Sequence, residues 1–389
     1  MASKSIRYTY DQLNTFCMDA FMKFGFNQSE ARIITDVLLL SDLYGIESHG
    51  MQRLVRYHKG IEKGLIKVDA VPEIVHETPV SAVIDAHDSM GQLVSHKAMS
   101  LAIEKAKKTG MAIVSVRNSN HFGIAGYYAK MACDQGLMGM AMTNSEAIMV
   151  PTFARMAMIG SNPIAVALPA EPYPFFFDAS TTVVTRGKLE VYNKMGKPLP
   201  EGWALDKDGH PSTDAKDVLK NIVAKNGGGI MPLGGNTEQL GSHKGYGYGM
   251  LCEIFCSVFS QGTPSSHVNV GGKSGTCHGF MAVDPNVFGN AEEIKAHFSD
   301  YLRELRNAPK ADGAARIYTH GEKEVEAYAD RMKNGIDVNI NTVAEMIDMA
   351  KYLGMDAEKY LGKVETTGLE SSYKYSINRA AGLRARAAP

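Results

Sequence analysis

Several standard signatures of cofactor and metal chemistry are missing from this chain. No G-x-G-x-x-G run follows a strand-like segment, so the glycine turn that seats a dinucleotide on a βαβ unit is absent. "GGKS" at 271–274 ends as a phosphate-binding loop ends, but position 267 is His where that loop needs its first Gly. HExxH is absent and the histidines do not fall at zinc-ligand spacings, so no metal site is expected. The five cysteines, Cys17, Cys133, Cys252, Cys256 and Cys277, are odd in number and widely spread, with no CxxC pair. That pattern is no disulfide framework and points to a reducing cytoplasm. No apolar run is long enough to span a bilayer, and the start, "MASKSIRYTYDQL", lacks the apolar core of a secretory signal, so no membrane role is expected. Neither sign of charge dominates: 41 Lys and Arg stand against 42 Asp and Glu, net −1. Nothing in that balance draws the chain to nucleic acid.

What is present is the material of a sizeable globular protein. A chain of 389 residues exceeds one small core, so two domains or one large one are expected. Its 44% hydrophobic and 21% charged residues are an ordinary balance. Residues 10–45 read as two helices divided at "GFNQSEA". Asn27 or Ser29 caps the second, Gly45 ends it, and Ile33, Ile34, Val37, Leu38 and Leu40 follow a helical period. Residues 48–64 read as a further helix, "VSAVIDA" as a strand, 92–109 as a helix and "MAIVSV" at 111–116 as a buried strand. "NSNHFGIAG" follows as a loop opening a helix. "LMGMAMT", "NPIAVALP" and "PFFFDAST" each read as strands. From 186 to 243 the richness in Gly, Pro, Asn and Lys signals long loops. "GYGYGMLCEIFCSVFSQG" resumes as an apolar helix, and the tail from about 290 is helical with a loop near 308–322. Strands and helices mix without clean βαβ repetition, which gives an α/β or α+β fold with a mixed sheet.

The stretch "ESHGMQR" at 47–53 sets a serine, a histidine and an arginine together. A helical reading of 48–64 puts His49, Arg53 and Arg56 at i, i+4 and i+7, on one face. Two arginines beside an imidazole repel unless an anion lies against them. Arg53 offers a planar fork that suits a carboxylate, His49 a proton-transfer group and Ser48 an orienting hydroxyl. Alone, the cluster has an ordinary reading as a solvated basic face. Three other stretches repeat a pattern of strand, small polar residues and a reactive side chain: His121 in "NSNHFGIAG", Thr143, Asn144 and Ser145 in "TNSEA", and Asp178 in "FFFDAST". A carboxylate at a strand mouth holds an imidazole in one tautomer in triad-like sites. Lys244, in a glycine-rich turn before a helix, suits an anion. Cys252 and Cys256 share an apolar helix face and read as core, as do the 22 methionines. Trp203 either roofs a site or packs an interface, and "GGG" at 227–229 reads equally as a mobile loop and as a linker.

Taken together and in order, "SHGMQR" (48–53), "NHFGIAGYYA" (120–129), "TNS" (143–145), "GSNPIAVALP" (160–169), "FDASTTVVTRGK" (177–188), "LPEGWALDKDGHPSTD" (199–214), "LGSHKGYGYG" (240–249) and "HGEKE" (320–324) make the chain resemble the malate/L-lactate dehydrogenase family of the non-Rossmann type. Sulfolactate, ureidoglycolate and diketogulonate dehydrogenases and a piperideine-carboxylate reductase belong to it. Thr185 and "YTHGEKE" depart locally from its pattern.

The resemblance implies a nicotinamide-binding domain built on a large mixed, mainly antiparallel sheet. A helical domain is built from both chain ends, with parts 1–75 and 291–389 flanking a cofactor and catalytic region at 76–290. It implies a homodimer with active sites near the interface and a small 2-hydroxy or 2-oxo acid substrate, with NAD or NADP as cofactor and NAD favoured. By the same resemblance His49 is the acid/base, Ser48 and Asp178 its relay partners, and Arg53 the carboxylate contact. His121 lies beside the nicotinamide ring and is the alternative base. Thr143 joins the substrate contacts, while Asn144, Ser145, Asp178, Ala179, Ser180, Lys244, His320, Gly321 and Glu322 fall to the cofactor. The expected activity is interconversion of a malate- or lactate-like 2-hydroxy acid with its 2-oxo acid. The alternatives are reduction of a cyclic imino acid, a ureidoglycolate or sulfolactate dehydrogenase, and a non-catalytic carboxylate-binding protein.

Overall fold

The computed structural model describes residues 5–365. By internal contacts the chain divides into two units. One runs up to Gly64 and resumes at Lys323; the other is the continuous stretch Leu65–Glu322.

The first unit begins with β1 (Ser5–Tyr8), α1 (Tyr10–Lys23), α2 (Gln28–Leu43) and α3 (Leu54–Glu62). Both long helices start on capping boxes: Thr9 with Gln12 on α1, and Asn27 with Glu30 on α2. Gly45, at φ +78°, ends α2 as its sequence position requires. Residues 48–64 are not one helix. Two single 3-10 turns, Glu47–His49 and Met51–Arg53, precede α3 and are parted at Gly50. His49, Arg53 and Arg56 therefore do not line one regular helical face. The cause is Asp42, whose buried carboxylate occupies the space beside Gly50 and accepts the Met51 N–H at 2.8 Å.

The second unit carries β2 (Glu73–Thr78), β3 (Ser81–Asp85), α4 (Gly91–Thr109), β4 (Met111–Ser119), α5 (Ala125–Cys133), β5 (Met138–Thr143), β6 (Ile164–Leu168) and β7 (Phe175–Ala179). It continues through α6 (Arg186–Met195), β8 (Ala204–Leu205), β9 (Pro211–Ser212), α7 (Ala215–Ala224), β10 (Gly229–Ile230), α8 (Ser242–Glu253), β11 (Thr276–Val283) and α9 (Ala291–Arg306). The first unit then closes with most of α10 (Glu322–Asn334), β12 (Ile336–Asn339), which pairs antiparallel with β1, α11 (Ile340–Leu353) and α12 (Ala357–Leu361).

Among the described residues seven strands form the large sheet, in the order β2-β3-β4-β11-β5-β6-β7. Only β3 and β4 run parallel, joined through α4; every other neighbour is antiparallel. The mixed, mainly antiparallel sheet expected of the fold is thus present. Helix α5 lies against one face so closely that a Cβ on Gly139 would stand 2.1 Å from the Ala129 carbonyl. On the other face the π-helical turn Ile254–Val258 that extends α8 approaches Gly279. Cys252, Cys256, Cys277 and Met142 form a buried cluster there.

Two segments differ from their sequence reading. The stretch read as long loops, 186–243, contains α6, α7 and the small sheet β10-β8-β9. Leu189, Val218 and Ile222 form its core with Ile148 and Ile230, and Trp203 packs on that cluster against Tyr192. Its helices are short and separated by turn-formers, so composition hid their period. Strand β11, "TCHGFMAV", is central to the sheet yet carries a glycine and a histidine that mask it as a strand. No helix among the described residues is long and apolar enough to cross a membrane.

Candidate active site

In the first unit the turn between α2 and α3 gathers Ser48, His49 and Arg53. Ser48 Oγ and His49 Nδ1 lie 2.9 Å apart, and Arg53 Nε donates to the Ser48 carbonyl at 2.6 Å. The guanidinium is thereby fixed beside the hydroxyl–imidazole pair. All three side chains are part-buried. Burial, then the cations Arg53 and Arg56, lower the His49 imidazole to about 3. The ring is a neutral hydrogen-bonding group throughout the neutral range, not one poised near its ordinary value.

In the second unit strand polarity does the gathering. Because β3, β4, β5 and β7 all run in one direction, their C-terminal ends meet at one edge of the sheet. At that edge His121 follows β4, Thr143–Ser145 span the end of β5 and Asp178–Ser180 span the end of β7. The repeated sequence pattern of strand, small polar residues and reactive group is thus collected in space. His121 follows Asn120, whose side-chain amide donates to the carbonyls of Leu65, Asp88 and Ser89. Gly91 lets the loop lie against α4, since a Cβ there would stand 2.3 Å from the Asn120 carbonyl. The His121 Nδ1 accepts the Gly123 N–H at 3.3 Å. Asp178 Oδ2 accepts the Gly126 N–H at 2.7 Å in the first turn of α5, where a helix start favours an anion.

Other residues singled out from the sequence spend their polar atoms locally. Thr143 Oγ1 meets His278 Nδ1 at 2.8 Å and donates toward the Cys277 carbonyl at 2.9 Å. Asn144 is fully buried: its amide donates to the Thr263 carbonyl, and its Oδ1 accepts the Cys277 N–H. Ser145 is held through Asn162 and Ser161. Ser180 Oγ donates to the Thr182 carbonyl, and Ala179 ends β7. Lys244 lies inside the first turn of α8 and is exposed. His320 sets its ring near Phe175 and Phe177. Gly321, at φ +104°, passes tightly over Phe176. Glu322 is buried among Thr319, Arg306 and Arg316, and the Thr319 hydrogen bonds with Arg306 outweigh burial to hold its carboxyl low.

Three residues escaped the sequence reading. His278, wholly buried on β11, bridges Thr143 and Ser119, with Nε2 2.8 Å from Ser119 Oγ, and stacks on Phe122 at 4.5 Å. Burial lowers its imidazole to about 3. Glu253, buried at the end of α8, accepts from Asn162, Ser257 and Ser265 and so ties the segment between β5 and β6 to the stretch that follows α8. Asp42 is the third. Each is an unremarkable polar residue in an apolar or helical stretch, and only its partners, far away in sequence, mark it.

The family model for malate/L-lactate dehydrogenase matches residues 8–347. The malate dehydrogenase of Pyrococcus abyssi is 43% identical over 352 residues, covering 90% of this chain and 96% of that protein. The L-sulfolactate dehydrogenase of Methanocaldococcus jannaschii is 35% identical over 348 residues, 88% of this chain and 96% of that protein. Among solved structures, malate dehydrogenase from Entamoeba histolytica superposes with a TM-score of 0.88 at 36% identity, covering 91% of this chain and 99% of that one.

Proposed function

The chain belongs to the malate/L-lactate dehydrogenase family, and from that membership we propose that it interconverts a 2-hydroxy acid and its 2-oxo acid with NAD or NADP as cofactor. The observation that carries this reading is the Ser48–His49–Arg53 turn, a hydroxyl–imidazole pair with a guanidinium anchored beside it. The nicotinamide ring, when bound, supplies the hydride acceptor. The chain's own residues suit such a cofactor. Lys244 stands exposed at the start of α8, where phosphate charge is favoured. His121, Ser145 and Asp178–Ser180 lie at a single sheet edge.

In the oxidative direction the protein has a proton to take and a carboxylate to hold. A neutral His49, hydrogen-bonded to Ser48 through Nδ1, takes the proton of the substrate hydroxyl. Arg53 grips the carboxylate with its fork and fixes the C2 oxygen toward the imidazole. That anion offsets the positive charges of Arg53 and Arg56, which themselves depress His49. Substrate binding thereby makes the ring a better base when a proton must move.

The test is catalytic efficiency with a 2-hydroxy acid and a matched plain alcohol, measured on the wild type, Arg53→Lys and Arg53→Met. Arg53→Lys is expected to lose much of its efficiency with the acid although its charge is kept. Arg53→Met loses more, roughly 2–5 kcal/mol of transition-state binding. The plain alcohol is a poor substrate throughout and is little affected. Equal proportional losses on acid and alcohol would sink the carboxylate grip.

A further inference from the structure

Asp42 ends α2 with its side chain 4% exposed, and the turn that bears Ser48, His49 and Arg53 is built on it. Its Oδ2 accepts the Met51 N–H at 2.8 Å. A Cβ on Gly50 would stand 1.9 Å from its Oδ1, so the carboxylate lies flush against the backbone between the two 3-10 turns. Gly50 has an ordinary negative φ of −88°, which leaves this close approach, not backbone strain, as the reason for a glycine. Three other groups complete the surroundings. Arg331 of α10 donates to the Asp42 carbonyl at 2.5 Å and to Glu47 Oε1 at 2.8 Å, and the Cys17 thiol of α1, whose proton the Asp42 charge helps retain, meets Met51 Sδ at 3.4 Å.

Burial pushes the Asp42 carboxyl up to about 7. The Met51 N–H and Arg331 oppose the shift and Glu47 adds to it. His49, held near 3, does not change its charge in that range. On protonation the Met51 N–H would lose an ionised acceptor, and hydrogen bonds to ionised acceptors are about twice as strong as neutral ones. The new O–H would also need an acceptor in a space packed tightly against Gly50.

We propose that Asp42 is a positioning residue: its ionised carboxylate holds the Gly50–Met51 backbone so that Ser48, His49 and Arg53 keep their working arrangement, and its protonation loosens that arrangement and lowers activity. The proposal rests on the reading of Ser48, His49 and Arg53 as the substrate-handling group.

The experiment is the pH profile of kcat/KM from about pH 5.5 to 9 for the wild type, Asp42→Asn and His49→Ala. The wild type is expected to gain activity as the pH rises through about 7. Asp42→Asn keeps an oxygen for the Met51 N–H but has nothing to titrate. Its profile should be flat across that range and about tenfold below the wild type at pH 8, the loss of one charge-assisted hydrogen bond. The same acid limb in Asp42→Asn as in the wild type overturns the proposal while leaving the site reading intact, provided His49→Ala has lost turnover. A His49→Ala variant with full turnover overturns the site reading and this inference with it.

Chemical denaturation gives a readout free of turnover. Asp42 titrates higher folded than unfolded, so its contribution to stability is present below about pH 4 and is lost as the pH rises through about 7. The wild type should therefore lose stability relative to Asp42→Asn between about pH 5 and 7.5, and parallel curves would overturn the titration of Asp42. Should Asp42→Asn not fold, Gly50→Ala serves in its place. Its methyl group displaces the carboxylate from Met51, and an unchanged profile in that variant also overturns the proposal.

Discussion

At the residue scale His278 shows how a single buried side chain sets the spacing of strand ends. Its two ring nitrogens meet hydroxyls on the strands either side of β11, Ser119 on β4 and Thr143 on β5. The ring lies flat on Phe122, the neighbour of His121. Its imidazole is held near 3 folded against an ordinary unfolded value of 6.5, so the native state refuses a proton that the unfolded chain accepts. Stability from this residue is present above about pH 6.5 and is lost as the pH falls from there toward 3. Between pH 7 and 5 the loss amounts to about 2 kcal/mol. His278→Gln, which offers one donor and one acceptor without titrating, should be less stable than the wild type at pH 7 by about 1–3 kcal/mol. It should also lack this histidine's share of the acid slope. Urea titrations of both proteins at pH 7 and 5 measure it, and equal slopes would show that His278 gains its proton without cost. The sequence did mark Ser48, His49, Arg53, His121 and Asp178, because their types are chemically active and their neighbours small. It could not mark His278, Glu253 or Asp42, whose partners are chosen by strand pairing and helix packing.

At the scale of elements the closeness of α5 to β5 decides where the segment after His121 lies. Gly139 is the contact: a Cβ there would meet the Ala129 carbonyl at 2.1 Å and the Ala129 carbonyl carbon at 2.9 Å, backbone atoms that cannot swing aside. At the start of the same helix, the Gly126 N–H is bound by Asp178 of β7. Gly139→Ala should therefore push α5 off the sheet and destabilise the protein by about 1–3 kcal/mol, the usual cost of overpacking. Nicotinamide-cofactor affinity should fall with it, because α5 carries the end of the His121 loop. Thermal unfolding and cofactor titration of the variant test the two effects separately. Loss of stability with unchanged cofactor binding would detach α5 from the proposed cofactor site. Most elements of this sheet were legible from apolar runs bounded by turn-formers, β3 to β7 among them. Strand β11 was not, since its place between β4 and β5 comes from pairing over more than a hundred residues of sequence.

For the molecule as a whole the cysteines offer a simple check on the packing. All five are free and buried. Burial, as the first cause, pushes Cys133 up to about 12 and Cys277 to about 11, and raises Cys17, Cys252 and Cys256 as well. A thiol-specific disulfide reagent should react with none of them within minutes at pH 8 and with all five after unfolding. One or more fast thiols in the native protein would show that a part of the core opens readily. The sequence by itself determined much about this protein: its family, its mixed sheet, the capped start of α2, and the local grouping of Ser48, His49 and Arg53. Those are matters of local period, cap chemistry and side-chain type, which a chain carries with it before it folds. Only the tertiary structure decided that 47–53 breaks into two short turns around Asp42, that 186–243 folds on its own small core, and that the ends of β4, β5 and β7 share one edge. Each depends on which distant residues become neighbours. A carboxylate buried against a glycine, or a strand inserted between two earlier ones, leaves no periodic trace in sequence.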